Sequence, residues 1–259
     1  MNAFKLLMAA SCFLGLATSG VAKQDYSKSE GLLQYVDPYI GSGFHGHVFV
    51  GTSVPYGMVQ LGPNNIHKGW DWCSGYHYSD SILIGFSHTH LSGTGCTDLG
   101  DILIMPLNEI RTPRGNQDDI RDGYASKYSH DNEIARPEYY SLILDRYNIK
   151  AELTATDRVG FHRYTYPKTE LANLIFDIGN KQGESGEVKD AEVQYFEDGR
   201  VEGYVITSPV YVNIYQKGAD VRMYFSAVLN KKPVQVGTFV KDVVNPGKHQ
   251  EKGPGAGLY

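Results

Sequence analysis

The stretch YYSLILDRYNIKAELTATDRVGFHRYTYP, Tyr139–Pro167, decides the fold class. Lys150–Thr156 alternates within it: Ala151, Leu153 and Ala155 on one face, Lys150, Glu152 and Thr154 on the other. A two-residue period lets a strand bury one face and wet the other. Tyr139–Leu144 and Gly160–Tyr166 read as flanking strands, and Leu171–Ile178 follows them. Toward the amino terminus, Met58–Leu61 reads as a strand closed by Gly62-Pro63-Asn64-Asn65. Ile82–Phe86 and Ile102–Leu107 are two more, Pro106 marking an end or an edge strand. Toward the carboxyl terminus, Asp198-Gly199 between Glu192–Glu197 and Val201–Ile206 predicts a hairpin. A second hairpin is predicted for Val210–Tyr215 and Val221–Val228 around Lys217-Gly218-Ala219-Asp220, and strands recur within Val234–Val244. Gly115–Ser129 reads as a polar loop, and no convincing amphipathic helix of normal length appears. Strands at roughly ten-residue spacing define an all-β fold, an antiparallel sandwich or barrel.

The chain has 259 residues, 41% hydrophobic and 20% charged, enough for one large or two small globular domains. The 19 Tyr and 29 Gly suit strands joined by tight turns. A net charge of −5 with no Lys/Arg run argues against nucleic acid and against a polybasic membrane contact. Lys5, the apolar run Leu6–Ala17 and small residues ending near Ala22 make residues 1–22 a secretory signal peptide, too short for a stable membrane span. Ala9-Ala10-Ser11 before Cys12 leaves lipoprotein processing as the alternative. Residues 23–34 are a polar lead-in, and 35–259 form the sandwich domain. The Gly/Pro-rich run Gly247–Tyr259 reads as a disordered tail, or as a domain truncated at its C-terminal end. The protein is expected to be exported: periplasmic, cell-surface or secreted. Export permits a disulfide between Cys73 and Cys96, and two unlinked thiols fit the sequence equally well.

The stretch GWDWCSGYHYSDSILIGFSHTHLSGTGCTDLGD, Gly69–Asp101, carries the chemistry. Flat aromatic faces beside hydrogen-bonding groups, with few aliphatics, suit a small hydroxyl-rich ligand, a sugar. Trp70 with Trp72, and Tyr76 with Tyr78, stand at i, i+2, and their polar neighbours favour a loop presenting aromatics over a core strand. His45-Gly46-His47 and His88-Thr89-His90 repeat that spacing. On a strand each pair would point one way and could chelate a metal, Asp98 and Asp101 completing the site. No His-Glu-x-x-His accompanies them, and hydrogen bonding within a polar cleft is the plainer role. Gly41, Gly43, Gly46, Gly51 and Gly57, like Gly93-Thr94-Gly95, read as tight turns, since no phosphate-loop motif is present. Hydrolysing a glycoside takes two carboxyl groups. Asp71, Asp80, Asp98 and Asp101 are the candidates, and no pair stands out.

The runs YVDPYIGSGFHGH (Tyr35–His47), VPYGMVQLGP (Val54–Pro63), GWDWCSGYHYSD (Gly69–Asp80), GFSHTHLSGTGCTDLGDILIMP (Gly85–Pro106) and AELTATDRVGFHRYTYP (Ala151–Pro167) resemble the amino-terminal domain of glycoside hydrolase family 92. Members of that family are calcium-dependent, exo-acting alpha-mannosidases. The resemblance covers nearly the whole mature chain. Glu138, in Arg136-Pro137-Glu138-Tyr139-Tyr140, departs from it by standing where the family has Gly, which implies an altered loop. The resemblance implies a β-sandwich followed by a larger alpha/alpha-barrel domain as its partner. That barrel would carry the general acid, the general base and most of the calcium site, leaving no catalytic residue and no metal ligand here. The implied reaction inverts terminal alpha-mannosides of glycans, with carboxyls roughly 6.5–9.5 Å apart to admit a water. Calcium would bind sugar hydroxyls and help distort the ring. Trp70, Asp71, Trp72 and Cys73 would lie at the mannose cleft. His45, His47, His77, His88 and His90 match family motifs without individual roles. A non-catalytic carbohydrate-binding sandwich and a His/Asp metallohydrolase remain the alternatives.

Overall fold

A computed structural model describes residues 31–96, 99–109, 123–181 and 186–259. The signal peptide with Cys12, the first part of the polar lead-in, Asp98 and residues 115–122 of the expected polar loop lie outside the described residues. Leu32–Tyr35 forms a short 3-10 turn. From Val36 onward the described chain forms one compact unit. In chain order its strands are β1 Gly62–Asn65, β2 Ile82–Ser87, β3 Leu103–Leu107, β4 Ser126–Lys127, β5 Ile134–Arg136, β6 Tyr139–Leu144, β7 Ile149–Ala155 and β8 Gly160–Thr165. They continue as β9 Asn173–Asp177, β10 Glu187–Tyr195, β11 Arg200–Ser208, β12 Val221–Val228, β13 Gly237–Val240, β14 Val243–Pro246, β15 Gln250–Lys252 and β16 Ala256–Leu258. One short helix, α1 Val210–Tyr215, precedes β12.

The strands build three antiparallel sheets, ordered β1-β2-β3-β9-β16-β13-β14 with β4 beside β2, then β12-β11-β10-β15, and β5-β6-β7-β8. The long sheet has a core on each face. Phe86, Met105, Ile175 and Phe239 pack with Tyr140, Leu142, Ala151 and Leu153 of the β5–β8 sheet. Ile104, Phe176 and Leu258 pack with Val193, Val201 and Val205 of the β10–β12 sheet. Neighbours on β3 therefore point to opposite cores, which is why Leu103–Leu107 is apolar throughout. Each such Leu, Ile or Phe contributes about 1.5–3 kcal/mol on burial.

β7 keeps its predicted alternation, with Ile149, Ala151 and Leu153 buried. Glu152 on its polar face is buried too, because Arg163 grips the carboxylate with Nε at 2.8 Å and an Nη at 2.7 Å. The Arg163 hydrogen bonds hold Glu152 down to about 2. Pro137 and Glu138 form the turn of the β5–β6 hairpin, Arg136 facing Tyr139. Glu138 is not among the positive-φ residues, so the turn does not require Gly there.

Several elements differ from the sequence reading. The strand expected at Met58–Leu61 lies one step later, in the Gly-Pro-Asn-Asn run expected to terminate it. Leu61 makes only an isolated bridge to Thr52. Buried asparagines are tolerated in β1 because Asn65 donates to Ile82 O and accepts from His77 N–H, while Asn64 accepts from Ser87. Val210–Tyr215 is helical, not a hairpin arm, and β12 pairs with β11 instead. The Asn213 side chain closes that segment by donating to Pro209 O and Ala219 O and accepting from Gly218 N–H.

Pro106 sits in an interior strand, opposite Leu174, and near its end. On the β2 side the pairing is confined to Phe86 and Ile104, so the missing N–H leaves that ladder intact. In the expected polar loop, Tyr124 and Ala125 are buried and β4 pairs with β2. Gly247–Tyr259 is no tail: β15 pairs with β10, and β16 lies inside the long sheet between β9 and β13. Gly257 lets β16 cross the Phe239 ring, where a Cβ would stand 2.0 Å from a ring carbon. Among the described residues no helix is long and apolar enough to cross a membrane.

Candidate functional site

Two loops on the β1–β2 side build a cleft. The first, Gly41–Val48, folds back on itself through Val48 N–H to Gly41 O at 3.0 Å. A Cβ at Gly46 would stand 2.0 Å from Gly41 O, so only glycine fits there. Phe44 and His47 both hold positive φ, 58° and 57°, a strained conformation for bulky side chains. The second is the 3-10 turn Trp70–Trp72, entered through Gly69 at φ 120°.

The turn sends its two indoles to different partners, so they do not share a face as i, i+2 residues of a strand would. Trp70 Nε1–H donates to Gly95 O at 3.0 Å, and the ring lies against His45 and His47. Trp72 Nε1–H donates to Asp80 at 2.8 Å, and the ring stacks on His77 at 4.4 Å. Asp71 faces both histidines of the first loop, Oδ1 standing 2.7 Å from His45 Nδ1 and 3.4 Å from His47 Nε2. The His45 hydrogen bond, joined by that of His47, holds the Asp71 carboxyl below the usual range. His77 Nε2–H donates to Phe44 O at 3.2 Å, which leaves Nδ1 to accept from Ser79 at 2.8 Å.

Gly43, Phe44, His45, Asp71, Trp72, His77, Tyr78 and Ser79 line a cleft of about 380 Å³. Of the expected site residues, His45, Asp71, Trp72 and His77 meet there, and Trp70 and His47 pack against His45 and Asp71. Cys73 is buried and lines a separate crevice of about 30 Å³ with His90 and Asn64, room for little more than a water. No disulfide joins Cys73 to Cys96. Phe44 and Ser79 were missing from the expected site; Tyr78 lines the cleft as an aromatic of the presenting loop, whereas Tyr76 is buried in the core. An aromatic flanked by glycines in GSGFHGH was the available signal for Phe44.

The second His pair lies elsewhere. β2 ends at Ser87, so His88 and His90 are not strand neighbours. His88 Nδ1–H donates to Ile102 O at 2.8 Å, and its Nε2 lies 2.9 Å from His162 Nε2. His90 Nδ1–H donates to Gln60 O at 2.8 Å, while its Nε2 faces Ser87 Oγ at 3.0 Å. Burial lowers all three imidazoles, His90 to about 4. Among the described residues no three His, Cys, Asp or Glu side chains are placed to hold a metal ion.

The carboxylates are equally dispersed. Asp80 is buried and saturated by Trp72 Nε1–H, Lys68 Nζ and the amides of Ser81 and Ile82. Asp101 is buried away from the cleft, and desolvation raises it to about 6. Such a raised carboxyl resembles a general acid, yet Asp101 lines neither the cleft nor the crevice beside Cys73. Among the described residues Asp71 is the one carboxylate lining the cleft.

The cleft of this antiparallel sandwich joins aromatic rings to polar groups, and among the described residues no second carboxylate lines it beside Asp71. The chain belongs to glycosyl hydrolase family 92: residues 35–259 match the N-terminal domain of that family. An uncharacterized secreted glycosidase of Arthroderma benhamiae is 32% identical over 160 residues, covering 60% of this chain and 19% of that protein. A solved family GH92 alpha-mannosidase of Bacteroides thetaiotaomicron is 31% identical, with a TM-score of 0.80 over 89% of this chain and 31% of its own. Its structure in complex with mannoimidazole gives a TM-score of 0.79 at 30% identity, over 87% of this chain and 30% of that one. The chain thus spans less than a third of the relatives it matches.

Proposed function

We propose that this chain is the substrate-facing sandwich of an exported, exo-acting alpha-mannosidase, supplying one wall of the mannose pocket. The observation that carries the reading is the cleft, lined by the rings of Phe44, Trp72 and Tyr78 beside His45, His77 and Ser79. Ring faces pack on the C–H side of a sugar while the polar groups fix its hydroxyls. The related mannosidase bound to mannoimidazole supports mannose as the sugar, and the secreted relative supports export.

In this reading the chain binds and orients the substrate and shields it from water. The acid and base of an inverting hydrolysis come from the alpha/alpha-barrel domain of the same enzyme. Calcium does not fit the described residues: no three-ligand cluster exists and Asp71 is engaged by two histidines. As the family resemblance implies, most of the calcium site would belong to that partner domain, and no step here passes through it. Titrating methyl alpha-mannoside into the chain while recording ring resonances tests the reading. Shifts should concentrate at Phe44, Trp72 and Tyr78 and be weaker with the glucoside. Unchanged spectra, or shifts spread over distant strands, would contradict it.

A further inference from the structure

We propose that Asp71 is a positioning residue that fixes which ring nitrogen of His45 carries the proton, so that His45 Nε2 accepts a hydrogen bond from a sugar hydroxyl. The inference rests on the reading of the cleft as a mannoside site and gives two of its residues distinct roles.

An ionised carboxylate only accepts hydrogen bonds. With Asp71 Oδ1 2.7 Å from His45 Nδ1, the proton of a neutral His45 sits on Nδ1, and the lone pair is on Nε2. Asp71 stays ionised because His45, then His47, hold its carboxyl below the usual range. The carboxylate is pinned from behind. His47 is 6% exposed in its side chain, lies 4.2 Å from the Trp70 ring, and brings Nε2 to 3.4 Å from the same oxygen. His45 faces the other way, 64% exposed in its side chain and lining the cleft. Phe44 packs edge-on against its ring and Trp70 stacks beside it at 6.0 Å, which sets the plane. Among the described residues no protein group hydrogen-bonds His45 Nε2. A fixed acceptor beside the aromatic faces of Trp72 and Tyr78 is a device for choosing one donating hydroxyl of a bound sugar. The same logic governs carboxylate–histidine pairs elsewhere, where an amide in place of the carboxylate permits the wrong tautomer.

The test is long-range ¹H–¹⁵N NMR of histidine ring nitrogens in the 259-residue chain, at a pH where His45 is neutral. The expected wild-type pattern for His45 is protonated Nδ1 and bare Nε2, with Asp71→Asn moving population toward protonated Nε2. Methyl alpha-mannoside should shift His45 Nε2 more than Nδ1, and Asp71→Asn should lose that response. His45→Phe should weaken mannoside binding about tenfold, the cost of one lost hydrogen bond of ordinary strength, and His45→Gln should lose less. These His45 variants also carry the test should Asp71→Asn fail to fold. A protonated Nε2 in the wild type, or an unchanged tautomer in Asp71→Asn, overturns the inference. So does a mannoside that shifts Trp72 and Tyr78 signals while leaving His45 Nε2 unmoved. A mannoside that shifts no cleft signal overturns the cleft reading itself, along with the sugar role of His45.

Discussion

Replacing Asp101 by Asn should stabilise the fold at neutral pH. Asp101 is 4% exposed, and its Oδ2 meets no hydrogen-bond partner among the described residues. Burial without a donor favours the neutral acid and raises the carboxyl from 3.8 to about 6. The sign follows from counting protons. Between those pH values the folded chain holds a proton that the unfolded chain has released, so the fold loses stability as pH rises through the window. Above pH 6 both states are ionised and the loss is complete. The gap between 3.8 and 6, at about 1.4 kcal/mol per pH unit, amounts to about 3 kcal/mol. Asn has the shape of the neutral acid and never ionises. Asp101→Asn should therefore gain about 1–3 kcal/mol over wild type at pH 7.5, a gain that shrinks toward zero at pH 4. Urea unfolding followed by tryptophan fluorescence at both pH values measures it. An Asn variant less stable at pH 7.5, or a difference equal at the two pH values, would refute the reasoning.

Three further outcomes follow from the same contacts. In the Asp101→Asn background the urea midpoint should fall steeply between pH 6.5 and 4. The unfolded chain takes up protons there that buried His90, held at about 4, and likewise His88 and His162 refuse, about 3 kcal/mol for His90 alone; a flat midpoint would contradict this. Gly257→Ala should cost about 1–3 kcal/mol or more, since its Cβ would meet the fully buried Phe239 ring at 2.0 Å, and an unchanged melting temperature would show that β16 does not cross that ring. In the complete enzyme, Trp72→Ala should lower kcat/KM by about 1–3 kcal/mol and Trp70→Ala by less, because Trp72 lines the cleft and Trp70 does not; equal effects, or none, would remove the stacking role.

The elements legible in the sequence are those fixed by local pattern. β7 follows from its two-residue alternation, and the β10–β11 hairpin from Asp198-Gly199. Elements fixed by distant partners were not legible. β1 is a Gly-Pro-Asn-Asn strand because His77, Ile82 and Ser87 satisfy its asparagines. β16 looks like tail sequence because its small residues pass over Phe239. The site divides in the same way. The aromatic and polar composition of Gly69–Asp80 marked the cleft, but i, i+2 spacing misled at two pairs outside the strands. It paired Trp70 with Trp72 across a 3-10 turn, and His88 with His90 beyond the end of β2. Asp80 looked like a candidate acid, and only its four donors show it to be the anchor of Trp72.

The central claim is that this chain supplies a sugar-binding wall and not the catalytic carboxylates. Release of the aryl group from an aryl alpha-mannoside by the purified 259-residue chain, with and without added calcium, tests it most directly. The expected result is no release above background in either condition. Calcium-dependent turnover that copurifies with the chain and is abolished by Asp71→Asn or Asp101→Asn would contradict it.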